Sequence, residues 1–389
     1  MNIPLFINII FLITIIIPII TVLSYGLLLI YYGTIKKNAI KVNDLEKLPS
    51  VTILIPCYNE ERVIRNRLEN ILNYDYPKDK LRVIFIDDSN DETPNIITEY
   101  MEKHNYIEML RLGQRSGYSK AVEEGLNRVT TDLVILNEAG SFPLPETLKK
   151  QVSILSDPLI GAVTGKSIIV NTDEHYGNIE SLYLKIIDYL RTAESNMDTT
   201  IFIKGEATGY KTELVKNIKA VADAGSIDTS MAFLVRKNGY KTVYHPEVVF
   251  REYAPADEAG FVKVKKIRAA NIMRNIIIYK EMILNPKYGK FGLISLPFYI
   301  SAFFIIPVLI PVSIIISLFG LLFNPNVYSI ILGALGASLI VFYLFARNTL
   351  TLLYQLEISI LQAIWEIYFK RKDHAKIERV ESTRRTTIQ

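Results

Sequence analysis

The sequence predicts an α/β fold: a doubly wound, mostly parallel sheet held between N-terminal and C-terminal transmembrane helices. In the middle of the chain, apolar runs typical of buried strands alternate with segments of helical periodicity. Both ends carry uncharged apolar stretches longer than the roughly 20 residues that cross a bilayer. Half of the 389 residues are hydrophobic, which is too many for one soluble domain of this length.

The N-terminal segment predicts a membrane anchor over residues 1–35. Residues 1–32 contain no charged side chain. The segment is longer than a signal-peptide core, and no small-residue cleavage pattern follows it. We therefore expect a retained anchor and not a cleaved signal.

A second apolar block occupies residues 289–369. The uncharged runs 291–323 and 327–346 predict membrane helices. Residues 350–369 carry Gln355, Glu357, Gln362 and Glu366, so this segment either crosses the membrane or lies along its surface.

Basic residues predict which side of the membrane the polar domain, residues 36–288, occupies. They are Lys36, Lys37 and Lys41 at one end and, in the tail 370–389, Lys370, Arg371, Lys372, Arg384 and Arg385. Such residues face the cytoplasm. We expect a multi-pass plasma-membrane protein with a cytoplasmic domain and tail and an external N-terminus. An even number of C-terminal crossings follows, which favours an interfacial or re-entrant segment 350–369.

Charge and cysteine content exclude several classes of function. The net charge of +4 is too small for a nucleic-acid binder and is explained by the basic flanks. The single cysteine, Cys57, excludes an intramolecular disulfide and a thiolate metal cluster.

Strands and helices alternate in order through the polar domain. The strand "VTILIPCYNE" precedes the helix "ERVIRNRLENIL", and "RVIFIDDSND" precedes a helix from about Thr93. The strand "YIEMLRL", the helix "SKAVEEGLNRV" and the strand "DLVILNEAG" follow. Ligands of such sheets bind at the carboxyl ends of the strands. Polar residues lie at those ends and indicate a ligand more than core packing: Asn59, Glu60, Asp87, Asp88 and Glu138.

Four motifs together carry a family resemblance. "IPCYNEE", "VIFIDDSNDET", "LPETL" and "IDTSMAFLVRKNGYKTVYHPE" resemble, in this order, the membrane-bound family 2 glycosyltransferases. These are inverting enzymes of the nucleotide-diphospho-sugar transferase (GT-A-like) fold. The resemblance covers about residues 50–270 and the tail "RVESTRR". It implies transfer from a nucleotide-diphosphate sugar to a lipid-linked glycan or polyisoprenyl phosphate, in cell-envelope polysaccharide or glycolipid synthesis.

The resemblance implies a donor site at the ends of the first two strands. Asp87 or Asp88 would accept hydrogen bonds from the nucleotide base or ribose; helix capping is the alternative role. Donor binding would also involve Pro56, Asn59, Glu60, Lys120 and Arg268. A lysine common in the family falls at Tyr118, with Lys120 two places on.

A divalent metal, Mg²⁺ or Mn²⁺, is implied with an altered ligand set. Where the family has Asp-x-Asp, this chain has Glu138, Ala139 and Gly140. One carboxylate is enough in principle, because such an ion takes much of its shell from phosphates and water. The alternative is that Glu138 is a loop acid without a metal role.

Asp228 is implied to be the general base. It accepts the proton of an acceptor hydroxyl that attacks the anomeric carbon opposite the nucleotide, which produces inversion. We place it in the loop before a helix that Gly239 terminates; a capping role is the alternative. The family's Glu-Asp pair is reduced here to Ile227 and Asp228. The segment "IFIKGEATGYKTELV", with Lys204, Gly205 and Glu206, resembles the family's acceptor-side loop.

Arg268 belongs to a basic group before the second membrane block, with Lys263, Lys265, Lys266 and Arg274. Such a group contacts lipid headgroups, or it positions a diphosphate or lipid phosphate, which arginine binds bidentately. Arg268 falls in the family's Gln-x-x-Arg-Trp motif, whose tryptophan is missing here. That loss argues against a processive polysaccharide synthase, one rival function; an inactive membrane scaffold is the other.

Overall fold

The computed structural model describes residues 3–36, 40–43, 45–113, 115–218 and 227–369. Lys37 and the basic tail 370–389 lie outside the described residues, so the predictions about them stay predictions.

Helices and strands alternate along the described chain. The helices are α1 (Ile3–Ile30), α2 (Ile64–Leu72), α3 (Thr93–Met101), α4 (Tyr118–Asn127), α5 (Thr147–Leu155), α6 (His175–Met197), α7 (Thr212–Val215), α8 (Ile227–Lys237), α9 (Glu258–Ile278), α10 (Leu296–Ile300), α11 (Ile306–Gly320) and α12 (Pro325–Phe369). The strands are β1 (Val51–Cys57), β2 (Leu81–Asp87), β3 (Ile107–Arg111), β4 (Leu133–Asn137), β5 (Phe142–Pro143), β6 (Ile160–Ile169), β7 (Ala207–Lys211) and β8 (Lys241–Glu252).

Within these ranges the strands form a single sheet in the order β3-β2-β1-β4-β7-β6-β8-β5. Strands β1 to β4 pair in parallel, as predicted. Strand β7 is antiparallel to both β4 and β6, while β8 returns parallel to β6. The sheet is therefore parallel in its first half and mixed in its second.

Both faces of the sheet are covered, which makes the fold doubly wound. Ile53 and Leu54 are neighbours in β1, yet they belong to separate buried clusters on opposite faces. Alternate side chains of a strand point to opposite faces, so a strand buried on both sides is apolar at almost every position. All of β1 is buried, including Cys57 at its end.

Two described helical segments are long and apolar enough to cross a membrane: residues 4–35 and 291–320. These two segments pack against each other. The start of α12 also contacts α1, where the ring centres of Phe11 and Tyr328 lie 5.4 Å apart. Tyr328 also donates a hydrogen bond of 2.7 Å to Asn8 Oδ1. These helices indicate a membrane protein, as the composition predicts.

Helix α12 bends by 98° between residues 325–341 and 343–369, with non-helical angles at Ala346. Its second part lies against α9 of the polar domain. Lys266 Nζ is 2.8 Å from Glu366 Oε1, and Gln355 donates a hydrogen bond of 3.3 Å to Glu258. Residues 350–369 therefore pack on the polar domain, and both alternatives for this segment stay predictions.

Candidate active site

A cleft of about 300 Å³ opens beyond the end of β4. Its walls come from the segment before β7, the start of α8, the end of β8, and one face each of α6 and α9. Among the predicted residues, those that line it are Glu138, Lys204, Glu206, Asp228 and Arg268. The fold thus brings together residues that are up to 130 positions apart in the chain.

Asp228 lies in the first turn of α8, which begins one residue before it, and not in the preceding loop as predicted. Its Oδ2 accepts a hydrogen bond of 3.2 Å from the Gly205 backbone, and its Oδ1 accepts one of 2.9 Å from Thr229. The helix ends as predicted before Gly239, which has a φ of +89°. The carboxylate is therefore held by backbone groups on two sides.

Burial is the main cause that raises the pKa of Asp228 to about 6, and the negative charge of Glu206 adds to it. The two amide contacts and the Arg268 charge oppose the rise. A carboxylate with a pKa near neutrality is ionised at neutral pH and still accepts a proton readily, which is what general-base catalysis needs.

The Tyr118 side chain extends from the start of α4 toward Gly205 and Asp228. A Cβ added to Gly205 would lie 2.5 Å from Tyr118 Oη and 3.2 Å from Asp228 Oδ2, so a larger residue would displace at least one of these side chains. Burial raises the pKa of Tyr118 well above its usual value, and the charges of Asp228, Glu138 and Glu206 add to this. These carboxylates therefore surround one phenol.

Lys204 is buried in the cleft wall and forms an ion pair with Glu252 at the end of β8. Glu252 also accepts a hydrogen bond from Ser167. Burial alone would raise the pKa of Glu252, but the charges of Lys204 and Arg268 outweigh it and lower the pKa to about 2. This pair is ionised at neutral pH.

Arg268 projects from α9 between acidic residues of two other segments. Its guanidinium lies 3.2 Å from Glu206 and 3.5 Å from Glu180. Glu180 also pairs with Lys265 at 2.5 Å, and burial lowers the pKa of Lys265 to about 7. Lys265 is only 3% exposed, so it faces the protein interior and not the lipid headgroups.

The predicted donor carboxylates have different surroundings. Asp87 is fully buried, accepts a hydrogen bond of 2.6 Å from Ser89 and pairs with Arg111. Asp88 follows β2 directly and is 9% exposed, and its Oδ2 accepts a hydrogen bond of 2.7 Å from the Ser116 backbone. Asp87 therefore organises the loop, and Asp88 faces the loop before α4.

The other donor-side predictions fall on the strand-end loops or away from the cleft. Asn59 has a φ of +54°, and its Oδ1 accepts a hydrogen bond of 3.0 Å from Asn90, which joins the loops after β1 and β2. Pro56 lies inside β1, and the Glu60 backbone donates to Thr93 at 2.8 Å. Lys120 lies on the exposed side of α4, 2.8 Å from Glu124, and does not line the cleft.

Several cleft residues were not predicted from the sequence. Glu180, Tyr183 and Arg191 line it from α6, and Glu252 lines it from β8. They stand in no motif, and which face of α6 meets the cleft depends on tertiary packing. A charged residue at the end of a strand was the available signal for Glu252.

Comparison with known proteins gives the family. Residues 49–271 match the family model described as "Glycosyltransferase like family 2". The chain is 27% identical over 240 residues to the probable glycosyltransferase YdaM of Bacillus subtilis strain 168, covering 58% of this chain and 56% of that protein. It is 26% identical over 278 residues to the poly-beta-1,6-N-acetyl-D-glucosamine synthase of Staphylococcus aureus strain COL, covering 69% and 64% respectively. The match thus spans less than two thirds of either relative.

A solved structure shares the fold. The mannosyltransferase PcManGT from Pyrobaculum calidifontis, in complex with GDP-Man and Mn²⁺, superimposes with a TM-score of 0.75 at 24% identity. The alignment covers 93% of this chain and all of that one. The predicted GT-A-like fold is confirmed. Since the family model covers more than half of its length, this chain belongs to glycosyltransferase family 2.

Proposed function

We propose that this protein transfers a sugar, with inversion, from a nucleotide-diphosphate donor to an acceptor at the cytoplasmic membrane surface. The observation that carries the proposal is that Glu138 and Asp228 line one cleft. Glu138 follows β4 on the donor half of the sheet, and Asp228 starts α8 on the other half. A base and a leaving group on opposite sides of the anomeric carbon produce inversion.

Glu138 fits a metal that the donor diphosphate helps to hold. No cluster of three or more His, Cys, Asp or Glu side chains with metal-binding geometry occurs in the described part of the chain. A Mg²⁺ or Mn²⁺ ion takes one or two carboxylates and completes its shell with phosphates and waters, so the single carboxylate of Glu138 is compatible with it. When bound, such an ion neutralises charge on the leaving diphosphate. The PcManGT complex, which contains Mn²⁺ and GDP-Man, supports this assignment by its shared fold.

The nucleotide is assigned to the loops after β1 and β2. The hydrogen bond from the Ser116 backbone to Asp88 joins the loop after β2 to the loop before α4, and the Arg115 guanidinium lies 4.5 Å from the centre of the Tyr58 ring. Carboxylates accept hydrogen bonds from base N–H and ribose O–H groups. Asp88 is therefore the donor-binding carboxylate in this proposal, and Asp87 holds the loop after β2 through Ser89 and Arg111.

The acceptor is assigned to the part of the cleft that borders the membrane helices. Its apolar lining includes Ile201, Phe202 and Ile272. These residues belong to a cluster with Phe291 and Tyr299, at the start of the second apolar segment. An acceptor anchored in the lipid would reach the base along this wall, whether it is a lipid-linked glycan or a polyisoprenyl phosphate.

The proposed location is the plasma membrane, with several crossings and a cytoplasmic catalytic domain. Lys36 and Lys41 follow the first apolar helix directly, and basic residues at such positions face the cytoplasm. In this proposal residues 1–35 form the anchor and residues 36–288 the catalytic domain. Residues 289–369 form the C-terminal membrane segments, and residues 370–389 form the tail.

A processive synthase is the second candidate, favoured by the Staphylococcus aureus relatives. The two candidates differ in their product, because a processive enzyme adds many sugars to one acceptor before releasing it. The length distribution of the product at early times separates them: we expect single additions.

The test uses the full chain, purified and reconstituted with native lipid extract, and a panel of radiolabelled nucleotide sugars. We expect label in the lipid phase with at least one donor, and its loss in Glu138→Ala and in excess chelator. A folded protein that neither binds nor consumes any donor would contradict the proposal and favour the inactive scaffold. Full activity in excess chelator would contradict the proposed role of the metal and leave the proposed glycosyl transfer standing.

A further inference from the structure

The cleft carries more acidic than basic side chains. Its described acidic lining residues are Glu138, Glu180, Glu206, Asp228 and Glu252, and the basic ones are Arg191, Lys204 and Arg268. A divalent ion at Glu138 would offset the charge of one diphosphate, but a second phosphate group would need cationic side chains that converge on it. This excess of negative charge bears directly on what kind of acceptor the cleft admits.

The basic residues that line the cleft already have carboxylate partners. Lys204 pairs with Glu252 in the wall. Arg268 lies within 3.5 Å of Glu206 and Glu180, so two carboxylates compete for its guanidinium. A donor diphosphate that contacts Arg268 would use the remaining capacity of that side chain. A second phosphate group would have to displace a buried carboxylate.

The remaining lining cation is also engaged. Arg191 is only 3% exposed and lies 3.2 Å from Asp188, on the same face of α6. Lys265, behind the wall, is 2.5 Å from Glu180. Breaking a buried ion pair leaves an uncompensated charge and strongly destabilises a protein. These cations are therefore poorly suited to capture an anionic acceptor.

The electrostatic potential beside Asp228, where the acceptor atom would attack, is negative as well. Glu206, next to Gly205, contributes to the raised pKa of Asp228. Any anion placed beside Asp228 would experience the same field, and like charges at close range disfavour binding. A neutral hydroxyl would instead donate its hydrogen bond to the carboxylate.

The chemistry of the step leads to the same acceptor. When a hydroxyl attacks, the bond from its oxygen to the anomeric carbon forms and its proton moves to Asp228. The bond from the anomeric carbon to the diphosphate oxygen breaks, and its electron pair leaves with the nucleoside diphosphate. A phosphate anion has no proton to lose at this step, so a base would have no role.

We infer that the acceptor is an uncharged sugar hydroxyl of a membrane-anchored glycan or glycolipid, and not the phosphate of a polyisoprenyl phosphate. This inference rests on the proposed glycosyl transfer and selects between the acceptors that the proposal leaves open. In this inference the ion pairs Lys204–Glu252 and Arg268–Glu206 form a polar wall that can hydrogen-bond sugar hydroxyls and carries no net positive charge.

The test reads the linkage of the product made by the reconstituted full chain in native lipid extract. Dilute acid cleaves a sugar joined directly to a polyisoprenyl phosphate and releases the labelled monosaccharide. It releases label as a longer oligosaccharide from a pyrophosphate-linked glycan and leaves a neutral glycolipid intact. We expect either of the last two results.

A second arm uses defined acceptors with the donor that gives product: octyl glycosides of neutral sugars and a polyisoprenyl phosphate without sugar. We expect transfer to the phosphate to be slower than to the sugar hydroxyl by at least roughly 100-fold, because like charges disfavour its encounter with the cleft. Release of a labelled monosaccharide, or efficient transfer to the polyisoprenyl phosphate, would overturn the inference and leave glycosyl transfer standing. Absence of labelled lipid with every donor would overturn the proposed function, and the inference with it.

Discussion

Asp228 Oδ2 accepts a hydrogen bond of 3.2 Å from the backbone nitrogen of Gly205. This contact joins the first turn of α8 to the segment that precedes β7, and it orients the carboxylate toward the cleft. A side chain at position 205 would force a shift, because its Cβ would lie 2.5 Å from the Tyr118 hydroxyl. The geometry of the proposed base therefore depends on a residue with no functional group of its own.

Substituting Gly205→Ala should lower kcat by roughly 100-fold, because the new methyl group displaces Asp228 and small misplacements of a catalytic group have effects of this size. Donor affinity, measured by isothermal titration, should change little. The matched control is Gly333→Ala in α12, where an added Cβ has nothing within 4 Å. Tyr118→Phe should restore part of the rate in the double variant, since it removes the nearest clashing atom. An unchanged kcat in Gly205→Ala would refute the account of this contact.

The rate should depend on pH through Asp228. The base works only when deprotonated, and its pKa is about 6, so kcat/KM should fall as pH decreases through about 6. Glu206→Gln removes a negative charge beside it and should move this acid limb to lower pH. Glu213→Gln, an exposed acid in α7, should leave the limb in place. A limb that does not respond to Glu206→Gln would assign the titration to another group.

Gly140→Asp restores the second carboxylate of the family's usual metal pair. Gly140 is not among the described glycines with positive φ, so its backbone conformation does not disfavour an aspartate. We expect the variant to need a lower concentration of Mn²⁺ for half-maximal rate, by about tenfold if the new carboxylate adds one ligand. The matched control is Gly140→Asn, which introduces a side chain of nearly the same shape without a negative charge. An unchanged metal requirement would indicate that Gly140 does not face the ion.

Glu194 should make stability depend on pH. It is buried, its Oε1 accepts a hydrogen bond of 2.6 Å from Tyr25 in α1, and it contacts Tyr299 in α10. Burial raises the pKa of Glu194 to about 8, whereas an unfolded chain gives it the usual value of 4.5. The folded state thus binds the extra proton, so this stabilisation is complete below the unfolded pKa and is lost as pH rises through 8.

Glu194→Gln mimics the protonated form and should remove this dependence. The difference in melting temperature between the variant and wild type should widen in the variant's favour from about pH 5 to pH 8 and then level off. Glu102→Gln, at an exposed position after α3, is the control and should show no such trend. A constant difference across this range would mean that Glu194 is ionised in the folded protein.

The first half of the sheet was predictable from local patterns. The strands β1, β2 and β4 are runs of buried apolar residues, and each ends where polar residues begin. In a parallel sheet all these ends meet at one edge, so the position of Asp88 and Glu138 follows from the strands alone. The proposed role of Asp228 as base came only from the family motif, because its local sequence does not by itself indicate a base.

The second half was not predictable in the same way. Strand β7 has only five residues, ATGYK, and its antiparallel pairing with β4 and β6 depends on long-range contacts. The burial of Lys265 depends on Glu180, which lies on another helix. From the sequence, Lys265 is one of several basic residues near a membrane segment. Its ion pair exists only once α6 and α9 are packed together.

The central claim is that Asp228 is the base, and Asp228→Asn tests it most directly. The substitution keeps the shape of the side chain and removes its basicity. In reconstituted full-length protein, turnover should fall on the order of 10² to 10⁴ fold while donor binding and melting temperature stay near wild type. Asp132→Asn, at an exposed position before β4, is the matched control and should turn over normally. Normal turnover by Asp228→Asn, with donor bound as in wild type, would contradict the account and place the base elsewhere.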